Sequence, residues 1–285
     1  MPKAREVKKR IKGVENIQEI TRAMKLVAAA RIKKAENAVL ACRPYAEKLK
    51  SMMVRVFNRL DENFAHKLMI ERDVKKIALV PVTGDKGLCG AFNNNIFRLT
   101  ETIMGTYPDK EFLFIPVGNK SHKFYLKKKL PVLMSFPHLV EINYSGCREM
   151  GEVLTDMFLA GDFDELYFIY GKYISTMKQE NTLFKLLPVS FPSEKITDIS
   201  DSILEPSPAE LLDYIIPKYI YVQIYQMILE SVASELGARL MAMTNATDNA
   251  DELIRALTLK FYRARQEAIT TEIIEVTSGS ESIKR

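Results

Sequence analysis

Two long stretches at the ends of this chain carry apolar residues at helical spacing, and the stretch between them changes period. From Lys3 to about Leu60, Val7, Ile11, Val14, Ile17, Ile20, Met24 and Val27 recur in steps of three and four. The stripe continues through Ala35, Ala38, Cys42, Tyr45, Leu49, Met52 and Val56. That spacing predicts one amphipathic helix, narrow and alanine-rich on its apolar side, which suits a close-packed helical partner. Gly13 and Pro44 are its only interior breakers, and Pro44 is expected to adjust the helix without ending it.

The last stretch opens with Ser207-Pro208-Ala209-Glu210, a serine N-cap, a proline at the first helical position and a glutamate placed to close a capping box. Pro217 predicts a kink soon after. A heptad then runs through Tyr225, Leu229, Val232, Leu236, Arg239, Met243, Ala246, Ala250, Leu253, Leu257, Lys260, Ala264 and Ala268, with Gly237 the only glycine inside it. Steps of four and three predict a left-handed coiled coil. About 60 helical residues would extend roughly 90 Å, more than a single globular domain covers. The only partner of comparable length is the first stretch, so the two ends of the chain are expected to pair as an antiparallel two-helix coil. Arg239 and Lys260 fall on the expected seam, where their stems either snorkel to solvent or carry a charge to an outside partner.

Between the ends, residues 74 to 190 read as α/β. Lys76–Thr83 is a buried-strand pattern, Gly84–Gly90 a turn and Ala91–Met104 a helix. Glu111–Val117 is a strand, Asn119–Lys129 and Tyr144–Ala160 are helices, and Glu165–Ser175 with Asn181–Val189 forms a hairpin. Strands alternating with helices predict a mainly parallel, Rossmann-like sheet. The expected division is therefore 1–60 as one coil helix, 74–190 as the α/β domain, and 207–285 as the helix that pairs with the first. A polar segment from Phe191 to Pro206 joins the last two.

Charge separates the parts further. Residues 1–50 hold 14 Lys/Arg against 5 Asp/Glu, whereas the remainder holds 27 (41 − 14) against 31 (36 − 5). A basic helix on a mildly acidic body predicts an acidic partner for that helix. No apolar run reaches the roughly 18 residues of a membrane-spanning helix, and the basic N-terminus lacks a secretory apolar core. Met1-Pro2 leads directly into the amphipathic pattern, as in a mature protein. Cys42, Cys89 and Cys147 are odd in number and form no CxxC, which predicts unpaired thiols in a reducing compartment. His66, His122 and His138 show no metal-ligand pairing, so no metal and no cofactor is expected.

The one loop with a catalytic look is Thr83-Gly84-Asp85-Lys86-Gly87-Leu88-Cys89-Gly90, between a strand and a helix, where phosphate-binding loops occur. Its spacing is neither Walker A nor GxGxxG, so the glycines read as a tight turn. Cys89, near Lys86 and a helix start, is a candidate nucleophile without a nearby histidine. The lysine-rich first helix could bind nucleic acid, but no recognised motif accompanies it and no aromatic precedes Tyr45. A Rossmann-like nucleotide-binding enzyme with helical oligomerisation arms and a coiled-coil nucleic-acid binder are the alternative readings.

Several motifs together resemble the γ-subunit family of bacterial, mitochondrial and chloroplast F-type ATP synthases. They are Ile17–Arg31 (IQEITRAMKLVAAAR), Gly84–Asn93 (GDKGLCGAFN), Glu230–Met243 (ESVASELGARLMAM), Asn245–Asp251 (NATDNAD), Arg263–Thr270 (RARQEAIT) and Glu275–Gly279 (EVTSG). The resemblance implies a non-catalytic rotor of the central stalk. Its coil would pass through a hexamer of α and β subunits, and it would contact the ε subunit and the membrane c ring, turned by proton flow. It implies no nucleic-acid partner, no cofactor of the chain's own, and a place on the cytoplasmic face of a bacterial inner membrane, held there through the complex. By the same resemblance, Met24, Arg239, Gln266 and Thr270 are the residues expected to affect coupling, through packing and hydrogen bonds within the coil and against β. The paired cysteines of the chloroplast type are absent, so thiol switching is not expected. Thr83-Gly84-Asp85 differs from the Ser-Asp that commonly precedes this turn, and contacts of that serine are not carried over.

Overall fold

A computed structural model of the chain describes residues 2–60, 66–139, 143–190, 205 and 207–283. The connector expected over 191–206 lies outside the described residues except for Glu205. Among the described residues nine elements follow in order: α1 (Pro2–Phe57), β1 (Lys76–Pro81), α2 (Phe92–Thr106), β2 (Glu111–Phe114), α3 (Asn119–Lys127), α4 (Tyr144–Ala160), β3 (Glu165–Tyr173), β4 (Gln179–Leu187) and α5 (Pro208–Ile283). The fold is mixed α/β, with long helices at both ends and a four-stranded sheet between them.

α1 has 56 residues and runs through Pro44, and α5 has 76 and runs through Pro217. At the start of α5 the Glu210 amide donates to the Ser207 hydroxyl at 3.3 Å, the N-cap expected from the sequence. α4 shows why its ends were readable: the Asn143 side chain accepts from the Gly146 amide, and Gly161 closes the helix at φ 84 in the left-handed region.

Two compact units divide the chain, residues 30–239 and residues 1–29 with 240–285. In the larger unit the sheet order is β2-β1-β3-β4, with β1 parallel to both β2 and β3 and β4 antiparallel to β3. β2 ends three residues before the expected Val117 because Pro116 has no N–H to extend a ladder. Beyond it only isolated bridges continue, Val82 to Val117 and Val117 to Phe136.

Successive residues of β1 point to opposite faces, and both faces are covered. Ile77 and Leu79 pack with Phe114, Ile169, Ile96 of α2 and Tyr125 of α3. Ala78 and Val80 join a larger core that includes Phe168, Met53 of α1, Met150 and Leu154 of α4, and Ile216 and Ile220 of α5. Two-sided burial is why the strand reads as a continuous apolar run.

The smaller unit is an antiparallel helix pair. The Thr247 hydroxyl donates to that of Thr21 at 3.0 Å, and the Gln18 side chain hydrogen-bonds Asp251, so contacts ascend along α1 as they descend along α5. The seam differs from the expected stripe by one position over part of its length. Ile17, Ile20 and Val27 are exposed at 56%, 60% and 52%, while Thr21 and Ala28 are buried and Gln18 half-buried. On α5, Leu253 and Lys260 point to solvent, and the half-buried positions are Ile254 and Phe261, one residue on. Thr21, Ala28, Thr247 and Ala250 are buried together with Met243 and Leu257, while Ile17, Ile20 and Val27 are left outside.

Candidate functional site

In an open α/β sheet, ligands bind outside the carboxyl ends of the strands, where the chain leaves neighbouring strands in opposite directions. Here that point lies between β1 and β3. The Gly84–Gly90 turn follows β1, and Gly171 to Tyr173 close β3. α5 fills the place. The Ser234 hydroxyl donates to the Gly171 carbonyl at 2.8 Å, and Ser234 is fully buried. A Cβ on Gly171 would lie 2.6 Å from the Phe92 ring and 3.1 Å from Ser234 Cβ, so the strand there has no room for a side chain. The Glu235 carboxylate sits against Gly84, where a Cβ would come within 3.0 Å of Oε1.

Arg239 completes the contact. Its Nη1 donates to the Gly87 carbonyl at 2.7 Å, and its Nη2 pairs with Glu235, one helical turn back. Glu235 is 7% exposed. Burial pushes its carboxyl above the ordinary range; the Arg239 charge and hydrogen bond oppose this, the Asp85 charge adds to it and Arg31 opposes it. Further along the same helix face, Glu230 pairs with Arg43 of α1 at 3.1 Å, and Arg43 Nη2 donates to the Tyr173 carbonyl at 2.6 Å.

The turn itself is held from within. Asn93 Oδ1 accepts from the Gly84 amide at 2.9 Å, and its Nδ2 donates to Cys89 Sγ at 3.2 Å. Asp85 Oδ1 accepts from the amides of Asn119 and Leu139 at 3.0 and 3.1 Å. The Cys89 thiol is buried, and burial followed by the Glu235 charge pushes its pKa up, although Arg239 and the Asn93 contact oppose this. That is the reverse of an activated nucleophile. The crevice where the enzyme alternative would place a nucleotide holds side chains of α5.

The four residues singled out from the sequence divide between the units. Arg239 belongs to the larger unit and to this crevice. Met24 lies in the smaller unit, half-buried, three residues past Thr21. Gln266 and Thr270 are one helical turn apart on an exposed face of α5, where the Thr270 hydroxyl donates to the Gln266 carbonyl at 2.9 Å. They line an open groove with Arg263, Glu267 and Thr271. Sequence reasoning missed Glu235 and Ser234. The one local signal was the Glu235–Arg239 spacing on a helix.

One unit is thus an antiparallel helix pair, and the other an α/β sheet whose strand-end crevice holds side chains of α5. The family described as ATP synthase matches residues 3–283. The ATP synthase gamma chain of Desulfitobacterium hafniense is 37% identical over 285 residues, and that of Geobacter sp. 41% over 288, each alignment covering 100% of both chains. The chain belongs to the ATP synthase gamma chain family. Among solved structures, a chain of the Euglena gracilis mitochondrial ATP synthase rotor superposes with a TM-score of 0.68 at 17% identity, covering 94% of this chain and 99% of that one. A chain of the Tetrahymena thermophila mitochondrial ATP synthase central stalk/cring gives 0.60 at 23%, covering 80% and 99%. These two likenesses carry the fold.

Proposed function

We propose that the chain is the rotor of the central stalk of a proton-translocating F-type ATP synthase. It does no bond chemistry, carries torque between a membrane c ring and a hexamer of α and β subunits, and through that coupling regulates ATP turnover and proton flow. The supporting observation is the outward-facing apolar surface of the helix pair. Ile17, Ile20, Leu26 and Val27 on α1 and Leu259, Tyr262, Ile273 and Val276 on α5 are each more than half exposed. A free-standing coil buries such residues and shows polar ones; a shaft inside a sleeve of other subunits needs the reverse.

Magnitudes fit this reading. Driving a catalytic subunit from 1:99 to 99:1 between two states takes about 5.5 kcal/mol of differential contact. At about 25 cal/mol per Å² that is roughly 220 Å² of apolar surface made in one state and not the other. A few of these aliphatic side chains, meeting different β subunits at each rotor angle, supply it. The same contact surface would include Met24, Gln266 and Thr270, whereas Arg239 would affect coupling from within the strand-end crevice. The basic excess of residues 1–50 suits an acidic loop on β.

The domain division follows: 1–60 and 207–285 form the shaft, and 74–190 meets the ε subunit and the c ring. Among the described residues no helix is long and apolar enough to cross a membrane. The chain is then peripheral, on the cytoplasmic face of a bacterial inner membrane, held through its complex. Mixing the purified chain with α and β subunits tests the reading. The chain alone should hydrolyse no ATP, and the mixture should gain sustained ATPase activity. Hydrolysis by the isolated chain would refute the non-catalytic role.

A further inference from the structure

We infer that the crevice at the carboxyl ends of β1 and β3 is a socket for α5, with Glu235 the positioning residue that sets Arg239 on the glycine turn, and that torque passes between the α/β domain and α5 through this contact. The inference rests on the rotor reading and names the residues that make rotor and domain turn together.

Side chains of α5 occupy the crevice. Ser234, Glu235 and Arg239 lie on one face of α5 and reach both strand ends: Ser234 the Gly171 carbonyl of β3, Glu235 the Gly84 backbone after β1, and Arg239 the Gly87 carbonyl. A Cβ at either glycine would crowd α5, 3.1 Å from Ser234 Cβ at Gly171 and 3.0 Å from Glu235 Oε1 at Gly84. An apolar plug would fill the same space at less cost, since a buried ion pair is often no more stable than well-packed hydrophobic residues of its volume. What the polar plug adds is direction. Apolar contacts tolerate sliding, whereas hydrogen bonds weaken steeply as their angles change. A twist of α5 in its socket therefore meets resistance at several bonds at once.

Glu235 acts through Arg239. It fixes one arm of the guanidinium fork, so the other arm is aimed at Gly87. Asp85 and Arg31, the other charges acting on Glu235, leave Arg239 as its hydrogen-bonded partner in the crevice. Cys89, buried in the same turn, feels Glu235 and Arg239 but stays a neutral thiol.

The test uses the complete enzyme in sealed vesicles and reads protons pumped per ATP hydrolysed, for wild type, Glu235→Gln, Arg239→Gln and the double variant. Glu235→Gln should lower the ratio at least about threefold, as loss of a charge-assisted hydrogen bond implies. The double variant should fall no further than Arg239→Gln alone, because both changes disable one contact. A residue that merely stabilised the fold would reduce hydrolysis and pumping together and leave the ratio unchanged. Should Glu235→Gln fail to assemble, Ser234→Ala, which removes only the bond to Gly171, is expected to lower the ratio in the same direction. A wild-type ratio in Glu235→Gln or Ser234→Ala, or independent losses that multiply in the double variant, overturns the socket. Wild-type enzyme that hydrolyses ATP without pumping overturns the rotor reading beneath it, a result the wild-type arm shows by itself.

Discussion

The hydroxyls of Thr21 and Thr247 meet at 3.0 Å, both buried between α1 and α5, although 226 residues separate them in the chain. Thr21 also donates to the Gln18 carbonyl at 3.0 Å, and the Met243 carbonyl lies 2.8 Å from the Thr247 hydroxyl. A polar pair in the seam favours this register, because a slip of one residue breaks the bond between the two hydroxyls. Thr247→Val is expected to cost about 1 kcal/mol in urea unfolding of the full chain, and Thr21→Val a similar amount. The double variant should cost less than the sum, since no buried partner is left unsatisfied. Additive costs would show that the two hydroxyls do not interact.

Glu235 gives a pH dependence of known sign. Its carboxyl titrates above the ordinary range in the folded chain, first because it is buried, with Arg239 opposing. The folded state therefore holds that proton more tightly than the unfolded state. The stabilising contribution is fully present below the unfolded pKa of about 4.3 and is lost as pH rises through the raised folded value. Melting temperatures of wild type and Glu235→Gln, compared at pH 4.5 and pH 7.5, should show the difference moving against wild type at the higher pH. Movement in its favour would contradict the assignment.

The three thiols should differ in reactivity. Burial pushes the Cys147 pKa up to about 12, with Cys42 adding to the shift, and Cys89 is raised as well. Cys42 is raised too, by burial and then by the Glu230 charge, but it is only half-buried and lines an open groove with Tyr45, Tyr144 and Tyr225, so access sets it apart. Alkylation of the folded chain at pH 8, followed by peptide mass spectrometry, should label Cys42 at least about tenfold faster than the other two. Denaturant should erase the difference. Rapid labelling of Cys89 in the folded chain would mean that the glycine turn is open.

Gly171→Ala should be harmful out of proportion to its size. The added methyl would meet the Phe92 ring at 2.6 Å and Ser234 at 3.1 Å, in the strand end that α5 covers. Overpacking of this kind costs about 1–3 kcal/mol. The expected readout is a lower melting temperature of the full chain, and an unchanged one would show that the end of β3 has room for a methyl group between Phe92 and Ser234.

Much of the fold was legible because local signals agreed. Asn143 and Gly161 fix the two ends of α4, Ser207 and Pro208 start α5, and the unbroken apolar run of β1 marks a strand covered on both faces. The seam was less legible. Periodicity assumes that apolar residues turn inward, and Ile17, Ile20 and Val27 do not, since on this part of α1 the inward positions are Gln18, Thr21 and Ala28. The same one-residue displacement separates Leu253 and Lys260 from Ile254 and Phe261. Arg239 was legible through the family motif, but not its target, because Gly87 lies 152 residues earlier. Glu235 stood beside a named residue and was passed over, since its role depends on a backbone approach that only the fold creates.

The central claim is tested most directly by watching the shaft turn. With β subunits fixed to a surface and a marker attached to the α/β domain of this chain, ATP should drive continuous rotation in one direction, in three equivalent steps per turn that follow the three catalytic subunits. ATP hydrolysis by the same assembled particles while the marker only fluctuates about one angle would contradict it.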